Sequence, residues 1–184
     1  MTKSVSGIFT LTDAVSLNNG QGGAANSSTM DIGHMIQVSD RQAIEILSVD
    51  YLWQNTLTEV GTYSPALGTC FGADASTSVQ LSDVNPGGSL RAAYDRQLIS
   101  STNLHYGHGD NIFTNVSDFQ PDDFKGSEGQ NGRFVVNDTL YIVADPSVTI
   151  AANNACMVTL RIRARIVQLS VKDYVALSLE TGPL

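Results

Sequence analysis

Lysine is the residue type that this sequence most clearly lacks. Its 184 residues contain three Lys (Lys3, Lys125 and Lys172) and 7 Arg, against 14 Asp and 4 Glu. The formal net charge of −8 argues against nucleic acid as the main partner, because phosphate binding requires a basic surface. Asp-rich, Lys-poor surfaces are typical of proteins that stay hydrated in concentrated salt, where repulsion between charges is screened. The alternative is a mildly acidic protein of ordinary salt conditions.

Cysteine and long apolar runs are also scarce. Cys70 lies in a glycine-rich segment and Cys156 at the head of a predicted strand. Two cysteines so placed do not form a disulfide framework, and we expect two isolated thiols. No run of roughly 18 apolar residues occurs, and the opening SVSGIFTLTD has no apolar core of signal-peptide length. We therefore expect a soluble chain without a cleavable export signal.

Signatures of enzymatic catalysis are missing as well. The sequence has no Gly-x-Ser-x-Gly nucleophile elbow and no Gly-rich phosphate loop before a helix. Asp110, Asp118, Asp122 and Asp123 could supply a glycosidase pair or bind Ca²⁺, but a loop so rich in Asp is more simply a solvated acidic surface. The expectation is a protein that is not an enzyme and uses no cofactor and no small-molecule substrate.

One short segment has the composition of a metal site. His105, His108 and Asp110 place two imidazoles and a carboxylate within six residues of a Gly-rich loop. Their spacing matches neither the two-His-one-carboxylate oxygenases nor the His-x-His pattern of cupins. We expect a hydrogen-bonded loop here rather than a bound metal, and a structural role for His34.

The strongest positive signal is the alternation in Ala155–Leu169, ACMVTLRIRARIVQL. Apolar side chains fall on one side of an extended chain and Thr159 and the arginines on the other, because successive strand residues point to opposite faces. The segment contains no Gly or Pro and many β-branched residues. It predicts a half-buried strand roughly 50 Å long, and hence a tall sheet.

Similar patterns recur along the chain. They predict further strands at Val5–Leu11, His34–Asp40, Gln42–Trp53, Ser78–Val84, Gln97–Leu104, Arg133–Val136 and Thr139–Ala144. In Gln42–Trp53 the apolar parity changes after Ile46, which either a bulge near Leu47–Ser48 or burial on both faces explains.

The remaining segments are read as connections. Leu17–Met30 and His105–Gly132 are predicted to be polar loops, and Ser89–Ile99 a short helical turn that leads into a strand. After the long strand, a final strand Tyr174–Leu179 is favoured over a helix with Ser170 as its cap. Eight or nine strands with long connections predict an all-β protein, a single eight-stranded jelly-roll sandwich that forms one domain over residues 1–184.

The arginines of the long strand are the most informative polar feature. Arg161, Arg163 and Arg165 are three of the 7 arginines, and all lie on one strand face. Like charges two residues apart are unfavourable unless carboxylates face them. One reading is a solvated face with acids on the neighbouring strand. The other is a subunit interface, since Arg pairs bidentately with carboxylates of a neighbouring subunit.

The chain resembles a family of viral proteins in SVSGIFTLTD, DRQAIEILSVDYLWQ and CMVTLRIRARIVQLSVKDYVALSLE. The family is the smaller major capsid protein of the tailless icosahedral haloarchaeal viruses with an internal membrane. This resemblance implies a single upright jelly-roll with a structural role in the virion. It further implies partners: copies of the same chain, a second and larger capsid protein, and an underlying viral membrane.

Two other functions stay open from the sequence. A β-sandwich carbohydrate-binding or adhesion module could stack sugars on Tyr51, Trp53, Tyr63 and Tyr106. A cupin-like enzyme would require bound metal at His105 and His108.

Overall fold

The computed structural model describes residues 3–18, 25–57, 62–64, 67–110, 112–118, 133–151 and 154–181. In these ranges it contains eleven strands and one α-helix. They are β1 (Lys3–Ser4), β2 (Phe9–Asn18), β3 (Asn26–Asp31), β4 (Gln42–Leu57), β5 (Thr62–Ser64), β6 (Ala75–Ser82), β7 (Leu98–Gly107), β8 (Ile112–Asp118), β9 (Arg133–Val135), β10 (Thr139–Pro146), β11 (Asn154–Gln168) and α1 (Val171–Thr181).

The strands form two antiparallel sheets. In the first sheet β11 lies between β2 and β4, and β9 pairs with the other edge of β4. The short β1 and β5 extend this sheet at opposite ends of β11 and β4. The second sheet has the order β3-β10-β6-β7-β8.

The order of the strands identifies the fold as a jelly-roll. From β2 to β4, and again from β9 to β11, each successive strand lies in the opposite sheet, so that the chain winds around the sandwich as two Greek keys. Eight strands make this framework: β2, β3, β4, β6, β7, β9, β10 and β11. The prediction of an all-β eight-stranded jelly-roll is confirmed, with β1, β5 and β8 added at its edges.

Apolar side chains from the inner faces of both sheets form the core. β11 contributes its alternate residues from Cys156 to Ala164, all of them buried. Leu81 of β6 and Leu140 and Ile142 of β10 face them from the second sheet, each with an exposed fraction of 0%. The alternation that predicted the long strand is therefore the pattern of burial against the opposite sheet.

The predicted change of parity in β4 is a bulge. Arg163 pairs with Ser48, and the next residue, Ala164, pairs with Ile46, so that Leu47 has no partner on β11. The extra residue restores the alternation, so that Ile44 and Ile46 before Leu47 and Val49 and Tyr51 after it all face the core.

Several predicted elements differ from the structure. Asn26–Asp31, predicted as loop, is the edge strand β3, and the first long strand begins at Phe9 rather than Val5. Ser89–Ile99 contains turns but no helix before β7, and His34 lies in a short 3-10 turn rather than a strand. The segment from His105 forms the β7–β8 hairpin up to Asp118 instead of a polar loop. The rest of that segment, 119–132, lies outside the described residues.

The last element is a helix, so the preference for a strand at Tyr174–Leu179 is wrong. The Ser170 hydroxyl accepts a hydrogen bond from the Asp173 N–H at 3.2 Å and donates one to the Asp173 carboxylate at 2.7 Å. This local arrangement satisfies an end group of the helix and favours it over an extended chain.

Helix α1 covers the outer face of the first sheet at one end. Tyr174 and Leu177 pack on a small apolar cluster that contains Ala43, Val167 and Leu169. Ala43 and Val167 are direct neighbours on β4 and β11, and their side chains point away from the main core. Among the described residues, no helix is long and apolar enough to cross a membrane.

Candidate interaction surface

The outer face of β11 holds the three predicted arginines. Arg165 is next to the part of the sheet that α1 covers, and Arg163 and Arg161 follow at successive outward positions. The regular alternation of the strand therefore places all three on one side of the sandwich.

Arg165 is engaged within the chain. Its guanidinium forms two hydrogen bonds to Glu45 on β4, and that carboxylate is 1% exposed. The hydrogen bonds to Glu45 raise the pKa of Arg165. Arg165 therefore has the acidic partner on the neighbouring strand that is expected of a solvated sheet face. Because its guanidinium is already paired within the chain, a role in binding a second subunit is not supported.

Arg161 and Arg163 are in a different state. Both are exposed, and neither forms an ion pair with any residue that the structure describes. Arg161 lies opposite Asp50 and Arg163 opposite Ser48 on β4, and β2 places Thr12 opposite Arg161. Two guanidinium groups are thus available to a partner, and their cross-strand neighbours Asp50, Ser48 and Thr12 are small and polar.

Helix α1 adds an exposed apolar stripe on the same side of the sandwich. Val171, Val175 and Leu179 are 56%, 50% and 78% exposed, and their spacing of four residues aligns them along one side of the helix. We refer to Arg161, Arg163 and this stripe together as the β11 face. Apolar anchors beside arginines are the composition that protein interfaces favour.

The predicted metal-site residues do not come together as a site. His105 is exposed on β7, while His108 and Asp110 lie in the turn of the β7–β8 hairpin. The His108 N–H donates to the Asp74 carboxylate at 2.8 Å. In the described part of the chain, no three His, Cys, Asp or Glu side chains are placed to hold a metal ion. Asp122 and Asp123 lie outside that part.

Cys70 and Cys156 are free and fully buried. The Cys70 thiol donates a hydrogen bond to the carbonyl oxygen of Ala155 at 3.8 Å, and its closeness to Cys156 together with burial raises the pKa of the Cys156 thiol. The closeness of the two thiols could not be predicted from the sequence, since Cys70 and Cys156 are far apart along the chain.

The aromatic residues proposed for sugar stacking are mostly inside the protein. Tyr51 and Tyr106 are 8% and 5% exposed, and Trp53 packs against the core. The side chain of Tyr63 is outside the described residues. Buried rings cannot stack on a sugar, so Tyr51 and Tyr106 are not available to such a platform. Phe113, which stacks on Tyr106 at 4.6 Å, is 38% exposed and was not considered.

Asp83 is a polar residue that the sequence analysis missed. It follows β6, its side chain is fully buried, and burial raises the pKa of its carboxyl group. Among the described residues, the guanidinium of Arg133 approaches this carboxylate, with its Nη2 4.0 Å from Asp83 Oδ2.

Comparison with known proteins supports the fold. No family model matches the sequence, and no curated protein matches it. The structure is similar to VP1 of chimpanzee polyomavirus, with a TM-score of 0.50, 8% identity and coverage of 91% of this chain and 99% of that chain.

Two other solved structures are less similar. For VP1 of Trichodysplasia spinulosa-associated polyomavirus the TM-score is 0.46 at 9% identity, with 91% of this chain and 98% of that chain covered. For Desmodium yellow mottle tymovirus it is 0.38 at 9% identity, with 88% and 86% covered. These neighbours are viral jelly-roll capsid proteins, and the likeness to the first of them establishes the jelly-roll fold.

Proposed function

We propose that this chain is a structural protein of a viral capsid, and that it assembles through the β11 face with further copies of itself. The observation that carries the proposal is the pair of exposed arginines, Arg161 and Arg163, beside the apolar stripe of α1. Apolar side chains beside arginines are the composition that protein interfaces favour. The fold that carries this surface is a jelly-roll, which is also the fold of the viral capsid proteins to which the structure is similar.

Charge complementarity supports a second copy as the occupant of this face. The chain has 18 acidic residues and a net charge of −8, so another copy offers mainly carboxylates to two unpaired guanidinium groups. Arginine pairs with carboxylates in a planar two-bond geometry, which keeps such contacts specific.

The finer proposal follows the family resemblance. It assigns the chain to the virion of a tailless icosahedral haloarchaeal virus, as an upright single barrel that forms capsomers with a second, larger capsid protein above an internal membrane. The Asp-rich, Lys-poor composition supports concentrated salt as the working condition. The proposal includes no catalysis, no nucleic-acid binding and no small-molecule substrate.

Light scattering of the purified protein at low and multimolar salt tests the capsid role. We expect large, uniform assemblies at high salt, alone or with the other proteins of the particle, because screening removes the repulsion between acidic copies. A monomer under every condition would exclude the capsid role.

Variants test the β11 face separately. Arg161→Gln with Arg163→Gln should weaken assembly, as should Val175→Gln with Leu179→Gln, while the monomer stays folded. A double variant that also changes the net charge by −2, Ala73→Glu with Ser89→Glu at exposed loop positions, is the matched control and should assemble normally. Assembly that persists in both face variants would retain the capsid role and reject this face.

A further inference from the structure

The carboxylate of Asp83 is buried without a hydrogen-bond partner. The residue is 1% exposed, and neither Oδ1 nor Oδ2 forms a hydrogen bond to any group that the structure describes. A buried carboxylate is normally hydrogen-bonded or paired with a charge, because leaving it unsatisfied costs several kcal/mol when it is ionised. Asp83 therefore requires an explanation that the jelly-roll framework does not supply.

The guanidinium group of Arg133 lies between the Asp83 carboxylate and the far end of the loop 83–97. Arg133 Nη2, at the start of β9, donates a hydrogen bond to the carbonyl oxygen of Arg96. The same nitrogen is 4.0 Å from Asp83 Oδ2, about 1 Å too far for a charge-assisted hydrogen bond. Arg133 is thus bonded to the far end of the loop and lies just outside hydrogen-bonding distance of the Asp83 carboxylate.

The other charged groups around Asp83 belong to the loop itself. Arg91 Nη1 pairs with Asp95 at 2.7 Å, and its Nη2 donates to the carbonyl oxygens of Val84 and Asn85 at 3.1 Å each. The Nε of Arg91 is buried and has no partner among the described residues. Burial has the largest effect on Asp83 and, with Asp95, opposes its ionised form, whereas Arg133, the backbone amide of Asp83 itself and Arg91 favour that form. The pKa of Asp83 is therefore raised.

The near part of the loop is held by bonds that do not involve the Asp83 side chain. The Arg91 N–H donates to the Gln80 side chain at 2.6 Å, and the Asn137 side chain donates to the Asp83 carbonyl oxygen at 2.7 Å. Among the described residues, Arg133 bonds to the far part through the carbonyl of Arg96, and the Asp83 N–H donates to the carbonyl oxygen of Gln97 at 3.3 Å beside it. A movement of Arg133 would therefore loosen one half of the loop and leave the other half in place.

We propose that Asp83 and Arg133 form a proton-operated switch that holds or releases the far half of the loop 83–97. When Asp83 carries a proton, Arg133 stays on the Arg96 carbonyl and the loop is closed. When Asp83 gives its proton to solvent, Arg133 moves about 1 Å to pair with the carboxylate and its bond to Arg96 breaks. Tyr94, at 91% exposure, lies within the segment that is released.

Hydrogen exchange of single amides tests the switch. The amides of Asp95, Gln97 and Leu98 are bonded within the far half, to the Ala92 carbonyl, the Asp95 carboxylate and the Asp95 carbonyl. Their protection, normalised to the unfolded-chain rate at each pH, should fall as the pH rises from about 4 to about 8. The expected decrease is up to about tenfold for each pH unit by which the pKa of Asp83 exceeds its ordinary value. The Arg91 amide should show no such change.

Two variants complete the test. Asp83→Asn, which is uncharged and of the same shape, should have constant protection of the three amides at all pH values. Asp50→Asn, at an exposed carboxylate on β4, should behave like the unmodified protein. The same pH dependence in Asp83→Asn, or none in the unmodified protein, would overturn the switch.

A direct titration keeps the test valid if Asp83→Asn does not fold. In the unmodified protein, the nuclear magnetic resonance signals of the Asp83 carboxyl carbon and of the Arg133 side chain should shift with pH around one midpoint, that of Asp83. An Arg133 signal that does not follow Asp83 would also overturn the proposal.

Discussion

Glu45 and Arg165 form a two-bond ion pair across neighbouring strands, on the outer face of the first sheet. Arg165 Nε donates to Oε2 of Glu45 at 2.6 Å, and Nη2 donates to Oε1 at 3.1 Å. The Glu45 side chain is 1% exposed and that of Arg165 is 33% exposed, so the carboxylate depends on this single guanidinium much more than the reverse.

Removing Arg165 alone should destabilise the fold strongly. Arg165→Met leaves a buried, unpaired carboxylate, and we expect a loss of about 3 kcal/mol in the free energy of unfolding, measured with denaturant. Arg165→Met combined with Glu45→Met should lose much less, because the buried charge is absent. A double variant no more stable than the single one would contradict this account.

The cap of helix α1 should contribute measurably to stability. Ser170→Ala removes both hydrogen bonds to Asp173, and we expect a loss of about 1 kcal/mol. Ser170→Asp keeps an acceptor for the Asp173 N–H and should lose less. Equal stability of the alanine variant and the unmodified protein in denaturant unfolding would show that packing of Tyr174 and Leu177 alone holds the helix.

Gly33 lies where an added Cβ atom would be crowded by two neighbouring residues. A Cβ atom there would lie 3.0 Å from Cβ of Asp138 and 3.3 Å from Oδ1 of Asp31. Gly33→Ala should therefore cost about 1 kcal/mol or more in thermal or denaturant unfolding. Gly72, which has no atom within 4 Å of such a Cβ, is the matched control, and Gly72→Ala should leave stability within about 0.5 kcal/mol.

The contribution of Asp83 to global stability should decrease as the pH rises. Its pKa is raised in the folded state, so the folded protein binds this proton more tightly than the unfolded chain. The resulting stabilisation is complete below the ordinary pKa of Asp and is lost as the pH rises through the raised value. Unfolding free energies of the unmodified protein minus those of Asp83→Asn should decrease over that range. A difference that grows with pH would mean that Arg133 and Arg91 outweigh burial.

The long strands could be predicted because alternate burial of their residues requires an alternation of apolar and polar residues in the sequence. In β11 every second residue faces the opposite sheet, and the single interruption of this pattern in β4 corresponds to Leu47. Strand β3 shows no such alternation of apolar and polar residues. It lies at the edge of its sheet, and its alternately half-buried and exposed residues are Asn, Ser, Thr, Met and Asp, which is mostly the composition of a loop.

Helix α1 shows a limit of apolar periodicity. Val175, Leu177 and Leu179 alternate as in a strand, but Tyr174 and Leu177 face the sheet while Val175 and Leu179 face outward. The sequence pattern fits both structures, and the Ser170–Asp173 cap favours the helix.

The candidate surface was predicted in part. Local alternation placed Arg161, Arg163 and Arg165 on one face, but it could not separate the paired from the unpaired arginines, since the partner of Arg165 is 120 residues away. The environment of Asp83 was out of reach for the same reason, because Arg133 approaches it from another sheet.

The unpaired Leu47 makes β4 tolerant of a change in chain length at one point. If Leu47 were deleted, Ile46 and Ser48 would become neighbours and could keep their present partners, Ala164 and Arg163. The strand would be shorter by one residue, yet no side chain would change sides. A deletion on either side of Leu47 would instead turn residues such as Ile44 or Val49 from the core to the outer face. Leu47 is therefore where related chains could lose a residue in this strand and still form the same sandwich.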